Sequence, residues 1–183
     1  FNIDNLRSNI VTIRIGQGHG SGFFVGNNGY LLTNAHVVGD SKSVQIITSS
    51  GMEIEGQVIR KNKSRDVSLI KVPLKITNSL YLKFQIPDIA SDVYAAGTPI
   101  DEALKTTVTK GIISNIRVDN ASGLKFIQAD ASISPGNSGG PLFDKFGNVI
   151  GISVAKYNAN SAEGLGLFIP LQDAFNSIKL SIE

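Results

Sequence analysis

Three short stretches carry side chains whose combination can work on an acyl group. Gly136-Asn137-Ser138-Gly139-Gly140-Pro141 sets a serine among glycines. Residues without a Cβ permit unusual backbone angles and close approach of another chain. Backbone amides around such a serine can converge on one point, as an oxyanion site requires. Thr33-Asn34-Ala35-His36-Val37-Val38 sets a histidine directly after an expected strand. Arg65-Asp66-Val67-Ser68-Leu69-Ile70 sets an aspartate at the start of another. Alone, each reads as ordinary structure: a glycine loop, a satisfied histidine beside apolar neighbours, a turn aspartate. Together they are a nucleophile, a base and a group to orient the base. A serine hydroxyl is a poor nucleophile at neutral pH and needs a neighbouring base, for which an imidazole is suited. That imidazole needs a partner that fixes its tautomer and stabilises the imidazolium as it forms.

The elements that must bring them together read as β-structure. Isoleucine and valine number 36 of 183 residues and glycine 19, a composition of β-branched strands punctuated by turns. Ile3, Leu6 and Ile10 are spaced as one face of a short helix, and Val11, Ile13 and Ile15 alternate as a half-buried strand. A glycine-rich turn is expected over 16–22, and His19 within it reads as a turn or surface residue. Residues 23–25 and 30–33 form a hairpin pattern with Asn27, Asn28 and Gly29 at its tip. Strands at 44–47, 54–60 and 67–72 complete a first lobe over residues 1–80, carrying His36 and Asp66. Pro87 and Pro99 bracket the start of a second lobe over 81–183, with strands expected at 93–96, 107–116, 126–129, 149–155 and 165–169. This lobe carries Ser138. After Pro170, the spacing of Leu171, Ala174, Phe175 and Ile178 predicts a short C-terminal helix. Many short strands favour barrels or a sandwich over β–α units. A cleft between lobes is where the three residues would meet.

Composition removes several alternatives. There is no cysteine, which excludes disulfides, thiol catalysis and cysteine-ligated metals. With only His19 and His36, a multi-histidine metal site is excluded too. No metal and no cofactor is expected. The net charge of +2 is interspersed and tryptophan is absent, so neither a phosphate stripe nor a base-stacking platform is evident, and nucleic acid is not an expected partner. No apolar run reaches the length of a membrane span, and no signal peptide is visible. The chain opens on Phe1 rather than methionine, which reads as a processed form or an excised domain.

With these motifs in place, the chain resembles a trypsin-like serine protease domain of the HtrA/Deg group. The likeness is carried by Gly20-Ser21-Gly22-Phe23, by Gly29 to Val38, by Asp66-Val67-Ser68-Leu69-Ile70-Lys71-Val72, and by Thr107 to Ser114. It continues through Gln128 to Leu142, Gly147 to Ile152 and Gly164 to Pro170, and so spans nearly the whole chain. The resemblance implies an all-β fold of two perpendicular six-stranded β-barrels of the chymotrypsin type, with the site at their interface. It implies His36 as general base, Asp66 as its orienting partner and Ser138 as nucleophile, with the amides of Gly136 and Ser138 as oxyanion hole. It implies that Ile133, with Gly151, Ile152, Ser153, Val154 and Ala155, shapes the specificity pocket and pairs with an extended polypeptide substrate. Small or medium apolar residues before the cut bond would then be preferred; Asp130 is the one acidic residue close to that region in sequence.

The family likeness also frames regulation and assembly. Relatives activated by proteolysis carry aspartate just before the serine, paired with a freed amino terminus. Asn137 is uncharged and cannot form that ion pair. Control by loop ordering is expected instead, through segments 97–106 and 155–164. Many relatives are trimers held by aromatic N-terminal segments; here Phe1 is the only aromatic residue before Phe23. Many carry PDZ domains after the protease domain, whereas this chain stops at Glu183. The stretch Gly97-Thr98-Pro99-Ile100-Asp101-Glu102 departs from the Gly-Asn-Pro pattern usual in relatives. A periplasmic or envelope location is the family-level expectation, with an organelle or secretion as alternatives. Two rival readings stand beside the endopeptidase: a silent or latent relative acting as a peptide-binding or chaperone module, and another acyl-transfer enzyme such as an esterase. The chain order His, Asp, Ser and the strand-rich surroundings disfavour the esterase.

Overall fold

The computed structural model describes residues 2–98, 106–154 and 165–181. Helix α1 (Ile3–Ser8) is capped by Asn2, whose side chain accepts the Asn5 amide. It leads into six strands: β1 (Ile10–Ile15), β2 (Gly18–Val25), β3 (Tyr30–Thr33), β4 (Ser43–Ile47), β5 (Glu53–Asn62) and β6 (Val67–Lys71). A one-turn helix, α2 (Ala35–Val38), follows β3. These strands close into a barrel in the order β1-β2-β3-β6-β5-β4. A second closed barrel, β10-β11-β12-β9-β8-β7, is built from β7 (Asp92–Gly97), β8 (Thr107–Val118), β9 (Lys125–Ala129), β10 (Pro141–Asp144), β11 (Val149–Ser153) and β12 (Gly166–Pro170). Helix α3 (Leu171–Ser177) is the last described element. The expected all-β fold of two six-stranded barrels with a short C-terminal helix is what the chain forms.

The alternating apolar residues do what their period demands. Val11, Ile13, Phe24, Leu31, Ile46 and Ile70 fill the first barrel; Val93, Ile113, Ile127, Leu142, Ile150 and Phe168 fill the second. A third cluster joins the two barrels and seats both end helices. It includes Leu6, Phe23, Leu32 and Leu69 from the first half and Phe143, Ile152, Ile169 and Phe175 from the second. The barrels are therefore welded by an apolar interface, and their relative position is set by core packing. The linker between them adds a clip, with Val149 donating to the Tyr81 carbonyl and Lys83 to the Val149 carbonyl.

The fold departs from the sequence reading at three places. The glycine-rich turn expected over 16–22 is confined to its first residues, and β2 already runs from Gly18. Gly20 and Gly22 serve close packing rather than turning: a Cβ on Gly20 would lie 2.7 Å from Val37 Cγ2, and one on Gly22 2.8 Å from Ile13 Cδ1. His19 consequently lies on a strand, paired across to Arg14. Strand β10 was hidden, because it starts on Pro141 directly after the glycine turn and has only four residues. Helix α2 is too short to show a helical period.

Candidate active site

His36 is delivered by α2, which turns the chain away immediately after β3. Asp66 comes from the turn between β5 and β6. Its φ of 69° lies in the left-handed region, which aspartate tolerates better than most residues. Hydrogen bonds fix that conformation: the Asp66 amide donates to the Asn62 carbonyl at 2.9 Å, and the Arg65 amide to Asn62 Oδ1 at 2.9 Å. Ser138 follows a 3-10 turn, Pro135–Asn137, at the mouth of the second barrel.

The three side chains meet between the barrels. Asp66 Oδ2 accepts from His36 Nδ1 at 2.7 Å, while Oδ1 accepts the backbone N–H of His36 at 2.8 Å. His36 Nε2 lies 2.8 Å from Ser138 Oγ. Asp66 and Ser138 are buried, and the imidazole side chain keeps 32 % of its surface exposed. A buried carboxylate must be paired, and here the pairing assigns the tautomer: a proton on Nδ1 leaves Nε2 as an acceptor facing the hydroxyl.

The turn that carries Ser138 is sewn to the first barrel. The Ser138 carbonyl accepts the Ser21 amide at 2.9 Å, and the Gly136 carbonyl accepts Ser21 Oγ at 2.7 Å. Ser21 Oγ also accepts the Thr98 amide at 2.8 Å. Gly139, at φ 89°, makes the approach feasible, since a Cβ there would stand 2.2 Å from the Ser21 carbonyl oxygen. On the other side Gly139 donates to the Ser153 carbonyl at 3.1 Å, and Ser153 donates to the Gly140 carbonyl at 2.9 Å.

The remaining sequence-expected residues fall in distinct places. Gly136 lies in the 3-10 turn, buried. Ile133 is half-buried against the second-barrel core, in space that Gly166 leaves open: a Cβ on Gly166 would be 2.6 Å from Ile133 Cδ1. Gly151, Ile152 and Ser153 lie on β11, which pairs with β10 on one side and β12 on the other. The backbone of Gly151 and Ile152 is engaged by these neighbours, and Ser153 backs the Ser138 turn from behind. Val154 is fully buried and donates to the Leu167 carbonyl. Ala155, and with it segment 155–164 and residues 99–105 of the other expected control loop, lies outside the described residues. Asp130 is exposed, and its carboxylate accepts the Ile112 amide at 2.7 Å. Asn137 is buried in the space left by Gly97, and among the described residues nothing donates to its Oδ1. No cluster of three metal-ligating side chains occurs among the described residues.

Three contributors escaped the sequence reading. Ser21, Thr98 and Asn34 each touch the Ser138 turn, its tether or Ser138 itself. Ser21 and Asn34 stood inside the motifs, and a serine flanked by glycines in an expected turn gave no sign that it would bridge two barrels. His19, on β2, places Nε2 3.4 Å from the Thr98 carbonyl oxygen.

Known proteins share this pattern. Residues 20–152 match the family model of the trypsin-like peptidase domain. The chain is 39% identical over 169 residues to the putative serine protease HhoB of Synechocystis sp. (strain ATCC 27184 / PCC 6803 / Kazusa), covering 87% of this chain and 39% of that protein. It is 37% identical over 172 residues to a probable periplasmic serine endoprotease DegP-like of Pseudomonas fulva (strain 12-X), covering 89% of this chain and 34% of that protein. The chain thus spans less than half the length of these curated relatives. Among solved structures, the HtrA-type protease AlgW, with a tripeptide, superposes with a TM-score of 0.83 at 28% identity, covering 96% of this chain and 62% of that one. The family match, the two barrels and the relatives converge: the chain belongs to the trypsin-like peptidase domain family and is a domain of the HtrA type.

Proposed function

We propose that this domain is the catalytic part of a serine endopeptidase. The observation that carries the reading is the hydrogen-bonded series Asp66 Oδ2, His36 Nδ1, His36 Nε2, Ser138 Oγ, with contacts of 2.7 and 2.8 Å. In the first half-reaction Ser138 Oγ attacks the scissile carbonyl carbon while His36 Nε2 takes its proton. The oxyanion is held by the amides of Gly136 and Ser138. His36 then gives the proton to the leaving amine as the C–N bond breaks, and an acyl-enzyme remains. Water attacks that ester, passes its proton to His36, and the serine recovers it as the acid leaves. Asp66 stays ionised and holds the imidazole throughout.

The substrate class that fits is polypeptide, unfolded or damaged, bound extended. A pocket beside Ile133, backed by Gly151, Ile152, Ser153 and the buried Val154, favours a small or medium apolar side chain before the cut bond. The half-buried, apolar Ile133 and the exposed, backbone-bound Asp130 support this preference over Lys or Arg. The lobes divide near residue 80 and the protein acts in the cell envelope, where the family allows a homo-oligomer and an attached PDZ domain; the periplasmic names of the curated relatives support that location. Asn137 in place of an acidic residue supports control by loop ordering rather than by a freed amino terminus. The test is cleavage-site profiling on a peptide library. Cuts after Ala, Val or similar residues that vanish in Ser138→Ala support the reading; cuts after Lys or Arg overturn the pocket assignment, and no cuts beyond the Ser138→Ala background overturn the activity.

A further inference from the structure

Asn34 precedes α2 as its N-cap residue, the position where an asparagine normally turns its side chain back to the helix amides. It makes no such cap bond here. Fully buried, its side chain points across the site instead. Nδ2 donates to the Asp66 carbonyl at 3.0 Å, and Oδ1 accepts from Ser138 Oγ at 2.8 Å. The amide orientation follows from chemistry: a backbone carbonyl only accepts, so the nitrogen must face Asp66 and the oxygen must face the serine.

Ser138 Oγ thus sits 2.8 Å from two acceptors, Asn34 Oδ1 and His36 Nε2. A hydroxyl has one proton. It can go to His36, as attack requires, or to Asn34, which holds it in an unreactive orientation. The favourable Asn34 contact exists only while Oγ carries its proton. Once Oγ bonds to an acyl or phosphonyl group, the Asn34 oxygen faces an oxygen with nothing to donate. The contact therefore stabilises the resting hydroxyl and not the state that follows.

We propose that Asn34 is a brake on the nucleophile, a second acceptor that competes with His36 for the Ser138 proton and slows acylation. The proposal rests on Ser138 being the nucleophile. A net hydrogen bond of ordinary strength, lost only on the reaction path, corresponds to a rate effect of about three- to tenfold.

The test is the second-order rate constant for labelling of the chain by a fluorophosphonate, in which the Oγ–P bond forms, the P–F bond breaks, fluoride leaves and His36 takes the hydroxyl proton. Asn34→Leu keeps nearly the same volume, excludes water and removes the acceptor; Asn34→Ala leaves room for water and serves if the leucine variant fails to fold. Labelling about three- to tenfold faster than wild type, with the circular dichroism spectrum unchanged and the Tm equal or lower, is the expected result. A merely structural role predicts a rate that stays level or falls with Tm, and that outcome in a folded variant overturns the brake. Neutron diffraction of the wild-type crystal is independent of any variant: a hydroxyl deuteron directed at Asn34 supports the proposal, and one directed at His36 overturns it. If folded wild type and variants all resist labelling, the serine-hydrolase reading itself has failed, and a labelled wild type with unaccelerated variants isolates the failure to the brake.

Discussion

Asp66 holds His36 at two points, with one carboxylate oxygen on the backbone N–H and the other on Nδ1 of the ring. The double grip fixes both where α2 starts and how the imidazole is turned, so one residue couples local folding to proton transfer. Asp66→Asn separates these roles. Asparagine tolerates the φ of 69° and can still accept the His36 amide. Its NH2 would face Nδ1 and stabilise the wrong tautomer. Peptide hydrolysis should fall by about 10³–10⁴, while Tm changes by only a few degrees; steady-state kinetics beside thermal unfolding checks both.

Ser21 joins the first barrel to the Ser138 turn through the Gly136 carbonyl and the Thr98 amide. Ser21→Ala leaves a buried carbonyl and a buried amide without this partner, at a cost of about 1–3 kcal/mol each if unrelieved. The expected effect is a fall in kcat of about tenfold or more, with a smaller change in KM, because the amides beside Gly136 lose their fixed position. A rise in KM alone would show that Ser21 serves binding rather than the turn.

Gly139 is a packing requirement as well as a turn residue. Its missing Cβ would stand 2.2 Å from the Ser21 carbonyl and 2.3 Å from Thr33 Oγ1, and its φ is 89°. Gly139→Ala combines a backbone clash with strain, and should lower stability by about 2–4 kcal/mol. Urea unfolding reads this directly.

A further link between the two halves runs through Arg65, buried beside Asp66. Its guanidinium lies 4.4 Å from the centroid of the Phe126 ring, and Nη1 is 3.5 Å from Asp173 Oδ2 on α3. Arg65→Met keeps the apolar stem and removes the charge. It should cost about 1–2 kcal/mol, mostly from the desolvated cation–π contact, since Asp173 is partly exposed. Chemical denaturation of the single variants and of the double variant with Asp173→Ala measures how much of this passes through the ion pair.

Sequence period and motif order made most of this architecture legible. The β-branched alternation in Val11, Ile13 and Ile15 marked a strand because one barrel face is buried and the other is not. Leu171, Ala174, Phe175 and Ile178 marked α3 because all four sides of that stripe bury together. What failed to show was governed by contacts distant in sequence. Gly20 and Gly22 looked like turn residues because the side chains that crowd them, Val37, Ile13 and the Leu32 backbone, belong to neighbouring strands and α2. Asn34 carried no sign of its role because its partners, Asp66 and Ser138, are 32 and 104 residues away. That His36, Asp66 and Ser138 could meet was readable from their motifs and order; the second acceptor beside Ser138 required three-dimensional placement.

Activation of Ser138 as a nucleophile by His36 is the step on which the proposed hydrolysis depends. Incubation of the chain with a fluorophosphonate, followed by peptide mass spectrometry, addresses it in one measurement. A single covalent adduct on Ser138, abolished in His36→Ala, is the expected result. An adduct on another residue, or labelling of Ser138 undiminished without His36, would contradict it.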